Sequence, residues 1–326
     1  MSSPYPLVQS LSFIRPCLLR HAPRAAYVTL LTRQNYLPGA LVLHHSLLSV
    51  GAQHPLVVMV TPSVGQDVKD ILARRGMVVR TVDHLKPKDG THSLSAHDAR
   101  FGDTWTKLRA FELTEYDRVV LLDADMVVMR NMDELMELEL PNESIAAVHV
   151  CACNPFKLPH YPSDWVPANC AHTPMVHPTA LTSPPKITDA SPRPYFLLNS
   201  GTVVLNPSAP LFDSIHNFLF TTDISGFNFP DQDLLAAFFK GNWTPLPWCY
   251  NALKTLRNIH KAMWRDEEVR CLHYILAEKP WQVRPEEGGD YEELNRWWRK
   301  EFEQLRAEMQ TADEAGWALV SANVAH

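Results

Sequence analysis

No stretch of this 326-residue chain is apolar for long enough to cross a membrane. Arg, His, Asp or Pro interrupts every candidate before the ~18–20 residues that a spanning helix requires. A positive charge surplus is also lacking. The chain has 30 Lys+Arg against 36 Asp+Glu, a net charge of −6. That balance removes the long-range attraction that non-specific nucleic-acid binding relies on, so no nucleic-acid partner is expected. Cysteine is scarce, and six in so long a chain do not make a disulfide-dense scaffold. A clean secretory signal is missing too, because Gln9, Arg15 and Pro16 break the apolar run from Leu7 to Leu19. Reduced thiols and a cytoplasmic compartment are therefore expected, and the sequons beginning at Asn142 and Asn242 then carry no glycosylation meaning. Acidic residues are absent before Asp67, while Arg15, Arg20, Arg24 and several serines give a transit-peptide-like composition. Residues 1–25 read as an irregular arm ahead of the first strand.

With 46% apolar residues, the chain has the composition and length of one large globular domain with an appendage. From Ala26 onward, β-rich apolar runs alternate with helical periods, the pattern of βαβ units. Strands are expected at 25–32, 56–61 and 77–82, with helices at 37–50 and 64–75 between them. The polar stretch 86–103 reads as a loop that orders around a ligand. A helix over 104–113 and a strand over 118–122 follow. Residues 151–194, rich in Pro and aromatics, read as an irregular insertion. Regular structure returns as a strand at 195–205, helices near 211–220 and 229–239, and a strand at 269–275. In the tail, 286–326, the segment 291–309 carries Trp297, Trp298, Phe302 and Leu305 at roughly helical spacing. It is expected to be an amphipathic helix docking on the body or on a partner, which leaves a homodimer open.

Asp123-Ala124-Asp125 stands at the C-terminal end of the strand over 118–122. In open α/β sheets ligands bind beyond the carboxyl ends of strands, and hard divalent cations take carboxylate oxygens. A metal held there bridges the phosphates of a nucleotide substrate. By itself the pair is ambiguous, because two loop aspartates can simply cap the next segment. The sequence around it also resembles the first motif of haloacid-dehalogenase phosphatases. That motif, however, ends the first strand of its fold, whereas three strands precede this one, and no later acidic cluster for magnesium is found. In the insertion, Cys151, Cys153 and Cys170 accompany His160, His172 and His177. These are zinc-ligand types, but the spacing fits no common structural zinc pattern, and free thiols are commonly just buried.

Several separate segments match a single family in order. They are Tyr27-Val28-Thr29-Leu30, Tyr36, Gly39-Ala40-Leu41, Thr106-Lys107-Leu108-Arg109, Leu121-Leu122-Asp123-Ala124-Asp125 and Leu198-Asn199-Ser200-Gly201. Asp231-Gln232-Asp233, Tyr250-Asn251, His273-Tyr274 and Lys279-Pro280-Trp281 complete the series. From about Ala26 to Trp281 the chain resembles glycosyltransferase family 8, the glycogenin and galactinol synthase group. The resemblance implies a GT-A-type α/β fold, a Rossmann-like, mostly parallel sheet flanked by helices, over residues 26–285. It implies Mn²⁺, or Mg²⁺, on Asp123, Asp125 and His273, the imidazole suiting Mn²⁺ better. UDP-glucose or UDP-galactose would be the donor, lying along Leu30, Thr32, Tyr36, Ala124 and Ser200. Lys279 would set its ammonium on the diphosphate. Lys107, Asn199, Asp231 and Gln232 would surround the donor sugar as the catalytic group. The implied reaction is retaining hexosyl transfer to a polyol, a sugar or another small acceptor.

Two departures from the family matter. Residues 252–260 contain no tyrosine, so the self-glucosylation of glycogenin is disfavoured. Leu276 and Ala277 stand in the His-to-Lys loop where glycogenin has a glycine, so the backbone approach to phosphate is expected to differ. A sugar-nucleotide pyrophosphorylase would need a glycine-rich loop after the first strand, and Thr32-Arg33-Gln34-Asn35-Tyr36 stands there instead. A catalytically silent UDP-sugar binder on the same fold is the remaining alternative, against which the intact acidic pair and His273 argue.

Overall fold

Short Val- and Leu-rich runs, too apolar to tolerate water on either face, assemble into a sheet covered on both sides. The computed structural model describes residues 24–94, 101–159 and 161–325. Residues 1–23 of the expected arm, 95–100 of the polar loop and His160 lie outside the described residues. β1 (Ala25–Leu31) leads to α1 (Leu37–Ser49), β2 (Leu56–Val60), α2 (Gln66–Arg74) and β3 (Val78–Thr81). A 3-10 helix, Thr104–Glu112, precedes β4 (Arg118–Leu122), β5 (Met126–Val128) and β6 (Ile145–His149). Next come β7 (Leu198–Leu205), α3 (Ala209–Thr221), α4 (Pro230–Phe238), β8 (Trp243–Pro245), β9 (Ala252–Leu253) and α5 (Leu256–Ile259). β10 (Cys271–His273), α6 (Glu292–Ala312) and α7 (Glu314–Ser321) complete the chain.

Seven strands form the main sheet in the order β3-β2-β1-β4-β7-β6-β8, and β7 alone runs against the others. Strand alternation sends Tyr27, Leu31, Val58, Val120 and Leu122 into the core on one face. Ala26, Val28, Val57, Val119 and Leu121 enter the core on the other. A second sheet, β5-β10-β9, begins directly after Asp125 and brings β10 antiparallel to β5. The expected mostly parallel α/β architecture is therefore the one the chain adopts. Local details differ. Residues 104–113 wind as a 3-10 rather than an α-helix, the strand expected over 195–205 starts at Leu198, and that over 269–275 contracts to β10. The sequence pattern gives no sign of β5, β6, β8, β9, α5 or α7.

Of the two fates open to the tail helix, docking on the body is the one realised. Leu294, Trp298, Phe302, Leu305 and Met309 recur at three- and four-residue steps on α6 and are all buried. Trp298 packs on Trp281 at 5.6 Å and on Phe302 at 4.8 Å between ring centroids. Glu301 on the same helix accepts from His45, 2.8 Å away, and from Ser49, 3.1 Å away, both on α1. Among the described residues no helix is long and apolar enough to cross a membrane. Since Trp298 is fully buried and braces Trp281 beneath the cleft, Trp298→Ala should cost ~3–5 kcal/mol, measured by denaturant unfolding.

Candidate active site

The main sheet ends in a cleft at the carboxyl end of β4, and the thirteen residues singled out above all line it. Leu30, Thr32 and Tyr36 come from the end of β1 and the turn after it. Asp123, Ala124 and Asp125 follow β4. Asn199 and Ser200 lie on β7, Asp231 and Gln232 in the first turn of α4, and His273 and Lys279 on β10 and its loop. The backbone fixes this array before any side chain acts. Asp123 N donates to Gly201 O at 2.9 Å, and Tyr274 N donates to Asp125 O at 2.9 Å.

Each aspartate carries one neutralising ammonium. Lys107 Nζ lies 2.6 Å from Asp123 Oδ1, and Lys279 Nζ lies 2.6 Å from Asp125 Oδ2. Burial alone would raise the Asp125 carboxyl, but Lys279 and His273 hold it well below the usual carboxylate range. Burial pushes the Asp123 carboxyl up, with Lys107 opposing. Lys107 is itself desolvated, yet Asp123 and Asp231 keep its ammonium firmly protonated. The remaining oxygens face the imidazole: His273 Nε2 is 3.6 Å from Asp123 Oδ2 and 3.3 Å from Asp125 Oδ1. All three ligand atoms lie within 4.8 Å of one another.

This donor set fits a divalent cation. His273 Nδ1 lies 2.8 Å from Asn251 Oδ1, an acceptor, so the proton sits on Nδ1 and the Nε2 lone pair faces the carboxylates. The charge balance agrees. Among the described residues, the three carboxylates of Asp123, Asp125 and Asp231 are ion-paired with two ammoniums, Lys107 and Lys279, one negative charge in excess. A divalent cation turns that excess positive, which suits a diphosphate.

On the opposite wall, Lys107 Nζ also reaches Asp231 Oδ2 at 3.0 Å. Asn199 Nδ2 donates to Gln232 Oε1 at 3.0 Å, while Asn199 Oδ1 accepts from Asn251 Nδ2 at 2.7 Å and from Gly201 N at 3.0 Å. One hydrogen-bonded chain thus runs from Gln232 through Asn199 and Asn251 to His273. Asp233 Oδ2 closes the start of α4 by accepting from Asn228 N and Phe229 N at 2.8 and 2.9 Å, fixing where Asp231 and Gln232 point.

The sequence profile of glycosyl transferase family 8 matches residues 27–284. The chain belongs to that family. Among curated relatives, galactinol synthase 4 of Arabidopsis thaliana is 31% identical over 285 residues, covering 85% of this chain and 80% of its own. Galactinol synthase 1 of Solanum lycopersicum is 30% identical over 281 residues, covering 84% and 80%. The solved structure of the galactosyltransferase LgtC, in complex with donor and acceptor sugar analogs, superposes with a TM-score of 0.59. It is 16% identical and covers 86% of this chain and 95% of that one. The fold is therefore the GT-A type, as expected.

Within this family site, two residues carry more of the geometry than the motifs suggest. Asn251, seen in the sequence only as part of Tyr-Asn, holds both His273 and Asn199. Gly201 lies so close to the imidazole that a Cβ there would stand 2.4 Å from His273 Cε1. The cleft wall contributed by the insertion, with Asn154, Phe156, Tyr161 and Trp165, was legible only as aromatic composition. Leu276 adopts a φ of 76°, the left-handed conformation that favours glycine, and its carbonyl accepts from Lys279 Nζ at 2.6 Å. Leucine therefore does not prevent the loop from taking the turn that a glycine would ease. Asn251→Ala should weaken the affinity of this donor set for an added divalent cation ~10–100-fold by calorimetry. Gly201→Ala should weaken it as well, by displacing the imidazole, with a loss of ~1–3 kcal/mol in unfolding experiments.

Proposed function

We propose that the protein is a retaining, metal-dependent hexosyltransferase that moves glucose or galactose from a UDP-sugar to an external polyol, sugar or small metabolite. The reading rests above all on Asp123, Asp125 and His273 facing one another in a cleft that also holds Lys107, Asn199, Asp231, Gln232 and Lys279. In it, residues 26–285 are the transferase domain and 286–326 a helical tail, and the protein acts in the cytoplasm. The galactinol synthase relatives support an external small acceptor, as does the absence of tyrosine from 252–260.

Asp123, Asp125 and His273 would hold Mn²⁺ or Mg²⁺, which supplies Lewis-acid neutralisation of the diphosphate leaving group. Lys279 adds an ammonium on the same side, stabilising the charge that develops as the glycosidic bond breaks. Leu30, Thr32, Tyr36, Ala124 and Ser200 line the remainder of the donor's path. Asp231 accepts from the hydroxyls of the hexose while Lys107 keeps it ionised and oriented. Double displacement would need a free carboxylate on the face opposite the leaving group. The ion pair between Asp231 and Lys107 lowers the nucleophilicity of Asp231, and Gln232 is an amide. A front-face substitution follows: the anomeric C–O bond to phosphate breaks, the acceptor oxygen bonds the same face, and its proton passes to the departing phosphate oxygen. Gln232, held by Asn199, stabilises the oxocarbenium-like state.

The test is UDP release from a panel of UDP-sugars, with Mn²⁺ or with EDTA. Metal-dependent release from UDP-glucose or UDP-galactose is expected even without acceptor. Asp125→Ala should abolish it while leaving the fold largely intact, and undiminished release would sink the assigned metal site. Lys279→Ala should mainly weaken UDP affinity, read by calorimetry, and an unchanged affinity would count against its diphosphate role.

A further inference from the structure

Away from the aspartates, the structure gathers Cys151, Cys153 and Cys170 of the insertion around His260, which follows α5. We propose that these four residues bind a structural zinc ion that fastens the insertion, and with it one wall of the cleft, to the body of the domain. The three sulfurs lie 3.5, 3.4 and 3.7 Å from a single atom, His260 Nε2. One ligand atom from each of the four residues falls within 4.8 Å of all the others. A tetrahedral zinc with Zn–S of about 2.3 Å and Zn–N of about 2.0–2.1 Å sets sulfur and nitrogen about 3.6 Å apart, which matches the observed spacing.

Ordinary hydrogen bonding does not account for the cluster. A ring nitrogen carries one proton or one lone pair, so three sulfurs converging on Nε2 cannot all be satisfied by it. The described cysteines are free of disulfides, and Cys153, Cys170 and His260 are buried. The nearer histidines are otherwise engaged: His172 Nε2 lies 3.1 Å from His149 O, and His177 Nε2 lies 3.7 Å from Glu268. The fourth ligand comes instead from 90 residues beyond Cys170.

The insertion has a physical need for such a fastening. Between β6 and β7 the described residues form only 3-10 turns, and their own apolar cluster is little more than Val150, Ala152 and Trp165 with the cysteines. A core that small is the kind that metal coordination supplements, because binding free energy becomes folding free energy. Trp165 stacks on Phe229, two residues before Asp231, at 5.6 Å. The ion would therefore fix the aromatic wall facing the first turn of α4 without touching the reacting groups.

The experiment is metal analysis of the purified full chain in the Asp125→Ala background, which disables the carboxylate site, after growth in zinc-supplemented medium. About one zinc per chain is expected. Cobalt exchanged into the protein should give the sulfur-to-cobalt charge-transfer absorption and tetrahedral visible bands that oxygen and imidazole ligands alone cannot produce. Cys170→Ser and His260→Ala should reduce bound zinc to roughly a tenth or less, and His260→Cys should retain it. Where a substituted chain does not fold, the cobalt spectrum of the chain with its four ligands intact decides. A chain that takes up neither zinc nor cobalt with thiolate absorption overturns the proposal. So does zinc retained at full stoichiometry in soluble Cys170→Ser, or a disulfide among the three cysteines in freshly purified protein.

Discussion

Two carboxylates sit almost side by side where β4 ends, and the mutual repulsion of Asp123 and Asp125 is the constraint around which the rest of the cleft is arranged. Water does not screen them, because both are largely buried, so each requires its own compensating group. Lys107 arrives from the 3-10 helix before β4, and Lys279 from the loop after β10. His273 fills the space between the two remaining oxygens. The second sheet follows from the same need: β5 leaves Asp125 directly and pairs with β10, which returns His273 to within 3.3 Å of that carboxylate.

Preorganisation spreads outward from this charge array by hydrogen bonds rather than by apolar contact. Asn251 touches neither aspartate, yet it fixes the tautomer of His273 and the amide of Asn199 at once. Asn199 in turn sets Gln232. A change at any member of that chain is thereby transmitted both to the aspartate side and to the Gln232 side of the cleft, so their geometries are not independently adjustable.

Much of this was legible in the sequence. β1, β2 and β4 could be read from continuous apolar runs, since parallel strands buried on both faces leave no room for polar interruption, whereas β3 is a mostly exposed edge strand. Every residue to which the resemblance gave a place in the site does line the cleft. What stayed hidden depends on distance or brevity. β8 and β9 span three and two residues, too few for any period to show. Residues 104–112 carry apolar spacing compatible with either helix type, and the choice of 3-10 geometry is made by tertiary context, including the reach of Lys107 to two carboxylates. Asn251 bears no signal of its own, because an asparagine's value lies in its two partners, 22 and 52 residues away in the chain. The cysteine cluster is similarly opaque: His160, His172 and His177 are its neighbours in the sequence, while His260 lies outside the insertion altogether.

The pairing of Asp125 with Lys279 spans 154 residues. When Asp123 and Asp125 are synthesised, only β1–β4 of the seven strands of the main sheet precede them, and of their charge partners Lys107 has been made but His273 and Lys279 have not. Asp125, unlike Asp123, therefore has no compensating ammonium until Lys279 is made. The contacts of His273 and Lys279 with the aspartates are thus among the last long-range pairings the domain can make. A form lacking that segment would leave Asp125 without its ammonium and both carboxylates without the imidazole between them, so a charge-compensated cleft reports that nearly the whole domain is present.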